Sequence, residues 1–196
     1  MGTHLGRWIV GVVVVVVALG AWTLSRGGDG ECEQVPGARP GLCIVAVADR
    51  PAAPTTSLPV LGDPTTELSL QAFPGDVVVV NFWGSWCAPC RVEQPDLNEV
   101  ALAYRDRGVS FLGVDVAEIS ETNGIAHQEE FEIPYPSLWD PAFTYAADFE
   151  VIGPQGMPAT VLVDRDGLVA ASFFGQTTRA EVSAVLDVLL AESSPA

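Results

Sequence analysis

The sequence predicts a mixed α/β domain whose central sheet carries helices on both faces, and three observations predict it. Residues 76–83 form a near-continuous apolar strand, the kind buried on both faces of a parallel sheet. The apolar runs and helical periods that follow alternate as β-α-β-α-β-β-α, an order that builds a mixed sheet between helices. Two cysteines, in Cys87-Ala88-Pro89-Cys90, fall where the first core strand gives way to a helical pattern.

The chain begins with a segment of a different kind. Residues 8–24 are a 17-residue apolar run with six consecutive valines, near the lower limit for spanning a bilayer. No A-x-A cleavage site follows it, and it is long for a signal-peptide core. Cys32 follows Gly30-Glu31 instead of an apolar lipobox, which argues against lipidation. Residues 1–26 are therefore read as an uncleaved transmembrane anchor, with the remainder on the extracytoplasmic side of the cell membrane. Secretion after signal cleavage is the alternative. With Arg7 before the run and Arg26 after it, loop charge gives little orientation. The direction rests on a C-terminal domain following a single N-terminal apolar segment.

Residues 27–57 are rich in Gly and Pro breakers and are expected to be an extracytoplasmic linker. Cys32 and Cys43 lie within it and are expected to pair as a structural disulfide in an oxidising compartment. A second redox pair relaying electrons to Cys87 and Cys90 is the sharper alternative.

The globular part is expected over residues 58–196. Alternation at 68–70 reads as strand. Residues 88–107 read as a helix kinked by Pro95, and 109–116 as the next strand. Residues 121–131 and 141–149 read as helices. Strands at 159–163 and 168–174 are joined by the turn residues Asp164-Arg165-Asp166-Gly167. In 179–190, Val182, Val185, Leu186 and Leu189 recur at helical spacing.

The cysteine spacing carries the chemistry. Only a thiolate attacks a disulfide, and a helix N-terminus favours an anion. Cys87 would stand there, and Cys90, three residues on, would share its face and resolve the mixed disulfide. Pro89 fits a first helical turn, where its missing N–H costs nothing. A structural disulfide rarely closes so small a loop, and a zinc site needs two more ligands where no Cys or His lies nearby. The spacing beside an α/β pattern points to redox catalysis. All nine basic residues are arginine against 25 acids, a net charge of −16. That balance speaks against nucleic acid as a partner and for a solvated acidic surface.

The longer motif, Val80-Asn81-Phe82-Trp83-Gly84-Ser85-Trp86-Cys87-Ala88-Pro89-Cys90-Arg91-Val92-Glu93, resembles the TlpA/ResA/DsbE group of membrane-anchored extracytoplasmic thioredoxins. The resemblance covers roughly residues 58–192 and leaves the Cys32/Cys43 segment outside. It implies the thioredoxin fold, a cis Met157–Pro158 bond in a loop facing the cysteines, a helix kink at Pro95, and a carboxylate at Glu93 near the thiols. Thioredoxins themselves carry a buried Asp where this chain has Asn81, so their proton relay is in doubt here and Glu93 is the better candidate. Glu93 also stands one helical turn beyond Cys90, where it could move protons for the resolving thiol and where burial would raise its pKa. The expected catalytic residues are Cys87, Cys90 and Glu93. The expected substrate-binding residues are Trp86, Pro89, Met157 and Pro158. Trp83 reads as core, and His127, in a polar helical stretch, as surface.

The function implied is a thiol-disulfide oxidoreductase without a cofactor. It would reduce exported protein disulfides such as the haem-binding C-x-x-C of apocytochrome c, in cytochrome c maturation, with electrons from a membrane thiol-disulfide carrier. A DsbA-like oxidase runs the same chemistry backwards. Direction follows the reduction potential, and Ala88-Pro89 resembles the reducing members more than Cys-Pro-His-Cys. A peroxiredoxin-type peroxidase needs Pro and Thr or Ser where Val80 and Gly84 stand. A copper-carrying assembly factor, from another class, uses Cys-x-x-x-Cys and a distant His. This spacing is one residue shorter, and no His falls near Pro158.

Overall fold

The computed structural model describes residues 32–35, 42–149 and 156–192. The anchor expected over residues 1–26 lies outside them, and among the described residues no helix is long and apolar enough to cross a membrane.

The sheet grows outward from the apolar strand. Strand β5 (Val77–Trp83) is buried along its whole length. It pairs in parallel with β6 (Val109–Val116) and antiparallel with β8 (Ala159–Val163). A hairpin joins β8 to β9 (Val169–Phe174), where the Asp164 carboxylate accepts the N–H groups of Asp166 and Leu168. On the other flank, β7 (Ser137–Asp140) extends β6 in parallel, followed by β3 (Leu58–Val60) and β4 (Asp63–Leu68). With β1 (Cys32–Gln34) and β2 (Cys43–Val45) the order is β1-β2-β9-β8-β5-β6-β7-β3-β4.

Four helices cover the sheet among the described residues: α1 (Ala88–Tyr104), α2 (Glu121–Glu130), α3 (Thr144–Asp148) and α4 (Arg179–Ala191). Alternation along β5 divides the core. Val77 and Val79 pack with Leu97 and Val100 of α1 and with Val182, Val185, Leu186 and Leu189 of α4. Val78, Val80 and Phe82 face the other way, toward Tyr145 and Ala146 of α3 and Phe149 beyond it. The thioredoxin-like mixed sheet with helices on both faces is thus as expected. Helix α4 carries the stripe its spacing predicts and starts with a capping box between Thr178 and Glu181.

Several expectations are corrected. The linker expected over 27–57 supplies β1 and β2, and Ile44 pairs with Ala171 of β9. Val35, Leu42 and Ile44 bury their side chains in the core. Arg50 fastens the segment. It is buried against Asp164 at 2.9 Å and bonds Glu192 at 2.7 and 2.8 Å. The register sets Cys32 opposite Val45 and Cys43 opposite Gln34. The side chains of Cys32 and Cys43, and so their pairing, lie outside the described residues.

The strand expected at 68–70 is the end of β4 followed by a 3-10 helix, Leu70–Ala72. Strand β7 was not expected, since four residues flanked by prolines show no readable period. Helix α3 starts later than 141 because Asp140 accepts the N–H groups of Thr144 and Tyr145, each at 2.9 Å, after a turn at Pro141. Helix α1 contains Pro95 and passes into a 3-10 helix at Arg105–Arg107.

Candidate active site

Strand β5 ends at Trp83, and the next four residues turn the chain into α1. Cys87 is the N-cap residue, and the N–H of Cys90 donates to its Sγ at 3.3 Å. Cys87 and Cys90 are joined as a disulfide with an S–S distance of 1.97 Å. Both pack in one buried cluster with Leu61 and Trp83, against which Met157 and Trp139 lie. On reduction, the Cys90 N–H and the helix N-terminus favour an anion on Cys87 over one on Cys90. Pro89 stands exposed in the first turn, where no intrahelical N–H bond is lost.

Trp86 projects beside the cysteines, 54 % exposed, while its indole N–H donates to the carbonyl of Val116 at 3.3 Å. The ring folds over Gly84, where any Cβ would meet the indole, so glycine is required in the loop. The Ser85 N–H donates to the Glu118 carboxylate. Segment 116–118 therefore grips the loop just ahead of Cys87. Ala117 between these contacts is left-handed at φ 51°, a conformation that costs a non-glycine residue roughly 1–2 kcal/mol and turns Glu118 back toward Ser85.

The Met157–Pro158 peptide bond is cis, as the resemblance implied. Pro158 is buried and its carbonyl accepts the N–H of Gly175 at 2.9 Å. Met157 touches the cysteine cluster, so the loop and the disulfide share one rim.

Glu93 lies behind Cys90, 1 % exposed. Its Oε1 accepts from Nδ2 of Asn81 at 2.9 Å, and its Oε2 accepts from the Thr177 N–H at 2.7 Å and hydroxyl at 3.0 Å. Nδ2 of Asn81 also donates to the Thr160 hydroxyl at 3.0 Å. These bonds join α1, β5, β8 and the turn before α4 behind the cysteines. Thr160 and Thr177 were not singled out from the sequence. Only the adjacent Thr178, three residues before Glu181, carried a readable signal, and that signal was for a cap.

His127 overturns its surface assignment. It is 1 % exposed and stacks on Trp83 with ring centroids 4.6 Å apart. Phe131 flanks its other side, and an Arg91 N–H lies 3.2 Å from Nδ1. Burial, reinforced by Arg91, pushes its pKa down to about 4, so it is neutral near pH 7. With Nδ1 facing a guanidinium, the ring proton belongs on Nε2. Glu129 and Glu130 are exposed, while Gly124 and His127, three apart, form the buried face of α2.

Comparisons with known proteins agree with this geometry. The AhpC/TSA family model matches residues 50–172. The thiol-disulfide oxidoreductase ResA of Bacillus cereus (strain ZK / E33L) is 30 % identical over 122 residues, covering 61 % of this chain and 67 % of that one. The thiol:disulfide interchange protein DsbE of Xylella fastidiosa (strain Temecula1) is 32 % identical over 158 residues, 80 % of this chain and 71 % of the other. Among solved structures, a secreted thiol-disulfide isomerase from Corynebacterium glutamicum superposes with a TM-score of 0.74 at 28 % identity, covering 83 % of this chain and 98 % of that one. The places where a peroxidase would need its proline and hydroxyl hold Val80 and Gly84, both buried here. With Cys87 and Cys90 at a helix N-terminus beside a cis-proline, the chain belongs to the AhpC/TSA family and is a thiol-disulfide oxidoreductase of the ResA/DsbE type.

Proposed function

We propose that this chain is a membrane-anchored, extracytoplasmic reductant of exported protein disulfides, with the haem-binding C-x-x-C of apocytochrome c as substrate. The observation that carries the reading is Cys87 at the N-cap of α1, beside Met157–Pro158, with buried Glu93 behind Cys90. The Cys87 thiolate attacks the substrate disulfide and expels one substrate thiolate. Cys90 loses its proton to Glu93 and attacks Sγ of Cys87, releasing the second substrate thiolate and closing the enzyme disulfide. A membrane dithiol carrier then reduces Cys87–Cys90 again. Trp86, Pro89 and the Met157–Pro158 loop receive the substrate chain. Residues 1–26 tether the domain, and Cys32 and Cys43 pair with each other outside the exchange.

A Cys90→Ser variant tests the reading, because it leaves Cys87 joined to its substrate. Recovery of an apocytochrome c C-x-x-C peptide as the mixed disulfide is the expected result. Capture of other exported proteins, with that peptide left free, overturns the substrate assignment.

The alternative reading is a DsbA-like oxidase, in which the exchange runs toward disulfide formation. The potential decides between them. A value near thioredoxin's, roughly −270 mV, fits the reductant, and one near about −120 mV, as in DsbA, fits the oxidant. A copper-carrying role finds no ligand set among the described residues, where no three His, Cys, Asp or Glu side chains stand together for a metal.

A further inference from the structure

A second buried carboxyl lies on the β6 flank of β5, on the same face of the sheet as Asn81 and Glu93. Asp115, on β6, lies opposite Trp83 in the parallel register, and Trp83 packs in the same cluster as Cys87 and Cys90. Asp115 is 0 % exposed, and neither carboxyl oxygen has a hydrogen-bond partner among the described residues. Helix α2 closes over it at Gly124, where a Cβ would collide with Oδ2.

The groups around Asp115 leave it without a counter-charge. Glu118 and Glu121 are the charges acting on it, and both are acidic. His127 of the same helix is neutral, and Arg91 of α1 is engaged by His127 and Glu130. The Trp83 indole N–H and the Ser137 hydroxyl, both uncharged and also without partners, lie near each other at Gly113. An unpaired carboxylate is costly in such a site, so the carboxyl keeps its proton. Burial, with Glu118 and Glu121 adding to it, pushes its pKa up to about 8.

Asp115 also begins the segment that holds the cysteine loop. Val116 accepts from Trp86, and Glu118 accepts from Ser85, so the residues that follow Asp115 hold the loop just ahead of Cys87.

We propose that Asp115 is a proton-holding residue linked to the redox pair, keeping its proton while Cys87 is a thiolate and giving it up more readily when Cys87 and Cys90 are joined. The step balances. The disulfide and the Asp115 carboxylate take up two electrons and two protons, giving a Cys87 thiolate, a Cys90 thiol and an Asp115 carboxylic acid. A donor dithiol supplies the electrons and becomes a disulfide, releasing two protons. Linkage is reciprocal, so an ionised Asp115 raises the Cys87 thiol pKa by the same factor. Asp115 does not touch the reacting sulfurs and acts as a positioning residue for charge. The proposal rests on the thiol-disulfide chemistry of Cys87 and Cys90 and is independent of which exported disulfide is the substrate.

The test is the pH dependence of the reduction potential of the full chain, measured in glutathione buffers, with Asp115→Asn beside the wild type. The wild-type potential is expected to fall more steeply with pH around pH 8, where Asp115 titrates, and the variant to lose that added slope. Thiolate absorbance should show Cys87 ionising about fivefold less readily in the wild type than in the variant once Asp115 is charged. Superimposable potentials and thiol titrations overturn the proposal. Should Asp115→Asn not fold, infrared spectra of Glu93→Gln replace it. A protonated-carboxyl band that grows on reduction near pH 8 supports the linkage, and a band unchanged between redox states overturns it. A wild-type chain that exchanges no disulfides would strike at the proposed function instead.

Discussion

Asn81 donates its side-chain N–H to Oε1 of Glu93 at 2.9 Å, and this bond ties the middle of the central strand to the helix carrying both redox cysteines. Two further donors, the N–H and hydroxyl of Thr177, point at Oε2. Glu93→Gln sets an amide N–H against one of these donors, which costs about 1–3 kcal/mol. A lower thermal midpoint is expected together with a changed pH profile of disulfide exchange. A lower midpoint with an unaltered profile would leave Glu93 a structural role only.

Stability should respond to pH in two opposite senses. His127 has a folded pKa of about 4, below the ordinary 6.5, so the unfolded chain binds its proton first. Its contribution is complete above pH 6.5 and is lost as pH falls toward 4. Urea midpoints should therefore drop across that window, and His127→Gln should flatten the drop.

Asp115 has the reverse sign. Its folded pKa of about 8 lies above the ordinary 3.8, so the folded chain holds the proton longer and stability declines as pH rises from 3.8 through 8. Asp115→Asn should therefore raise the urea midpoint at pH 7, with little gain below pH 4. Equal gains at both pH values would assign the effect to shape instead of charge.

Gly124 is the small residue that lets α2 close over Asp115. Alanine usually favours a helix by roughly 1 kcal/mol over glycine, but its Cβ would collide with Oδ2 here. Overpacking of this kind costs about 1–3 kcal/mol, so Gly124→Ala is expected to destabilise. Asp115→Ala should relieve the collision, and a double-mutant cycle read by urea unfolding should show favourable coupling. Additive effects would show that α2 shifts to avoid the contact.

Arg50 holds the N-terminal strands to the fold through Asp164 and Glu192. Arg50→Met leaves Asp164 buried without its cation, a loss of about 3–5 kcal/mol. Glu192, on the more exposed arm of the triad, should cost at most about 1 kcal/mol on replacement by Gln. Calorimetry of the two variants checks the order, and limited proteolysis of Arg50→Met should cut first within residues 27–57.

What was readable in the sequence was local. Four valines and an apolar tail in a short run leading into a strand-to-helix junction mark a buried strand. Val182, Val185, Leu186 and Leu189 mark a helix face by spacing alone. Cys-x-x-Cys at a strand-to-helix junction is a chemical arrangement complete within four residues, and the longer motif around it carried Glu93 and Met157–Pro158 through resemblance. The sheet strands within residues 27–57 were hidden because each is only three residues long and stands among many Pro and Gly residues. Strand β7 was hidden because four residues are too short to display a period.

Tertiary structure alone decided the surroundings of the cysteines. The sequence determined that two thiols stand at a helix N-terminus and that a carboxylate lies one turn beyond them. It did not determine that Thr177, 84 positions away, grips that carboxylate, or that His127 turns inward onto Trp83. Nor did it reveal Asp115, which reads as one more acid among 25 until β6, β7 and α2 enclose it. The reason is physical. Periodicity and short motifs record which face a residue takes on its own element, whereas burial, partners and proton affinity depend on which other elements meet that face.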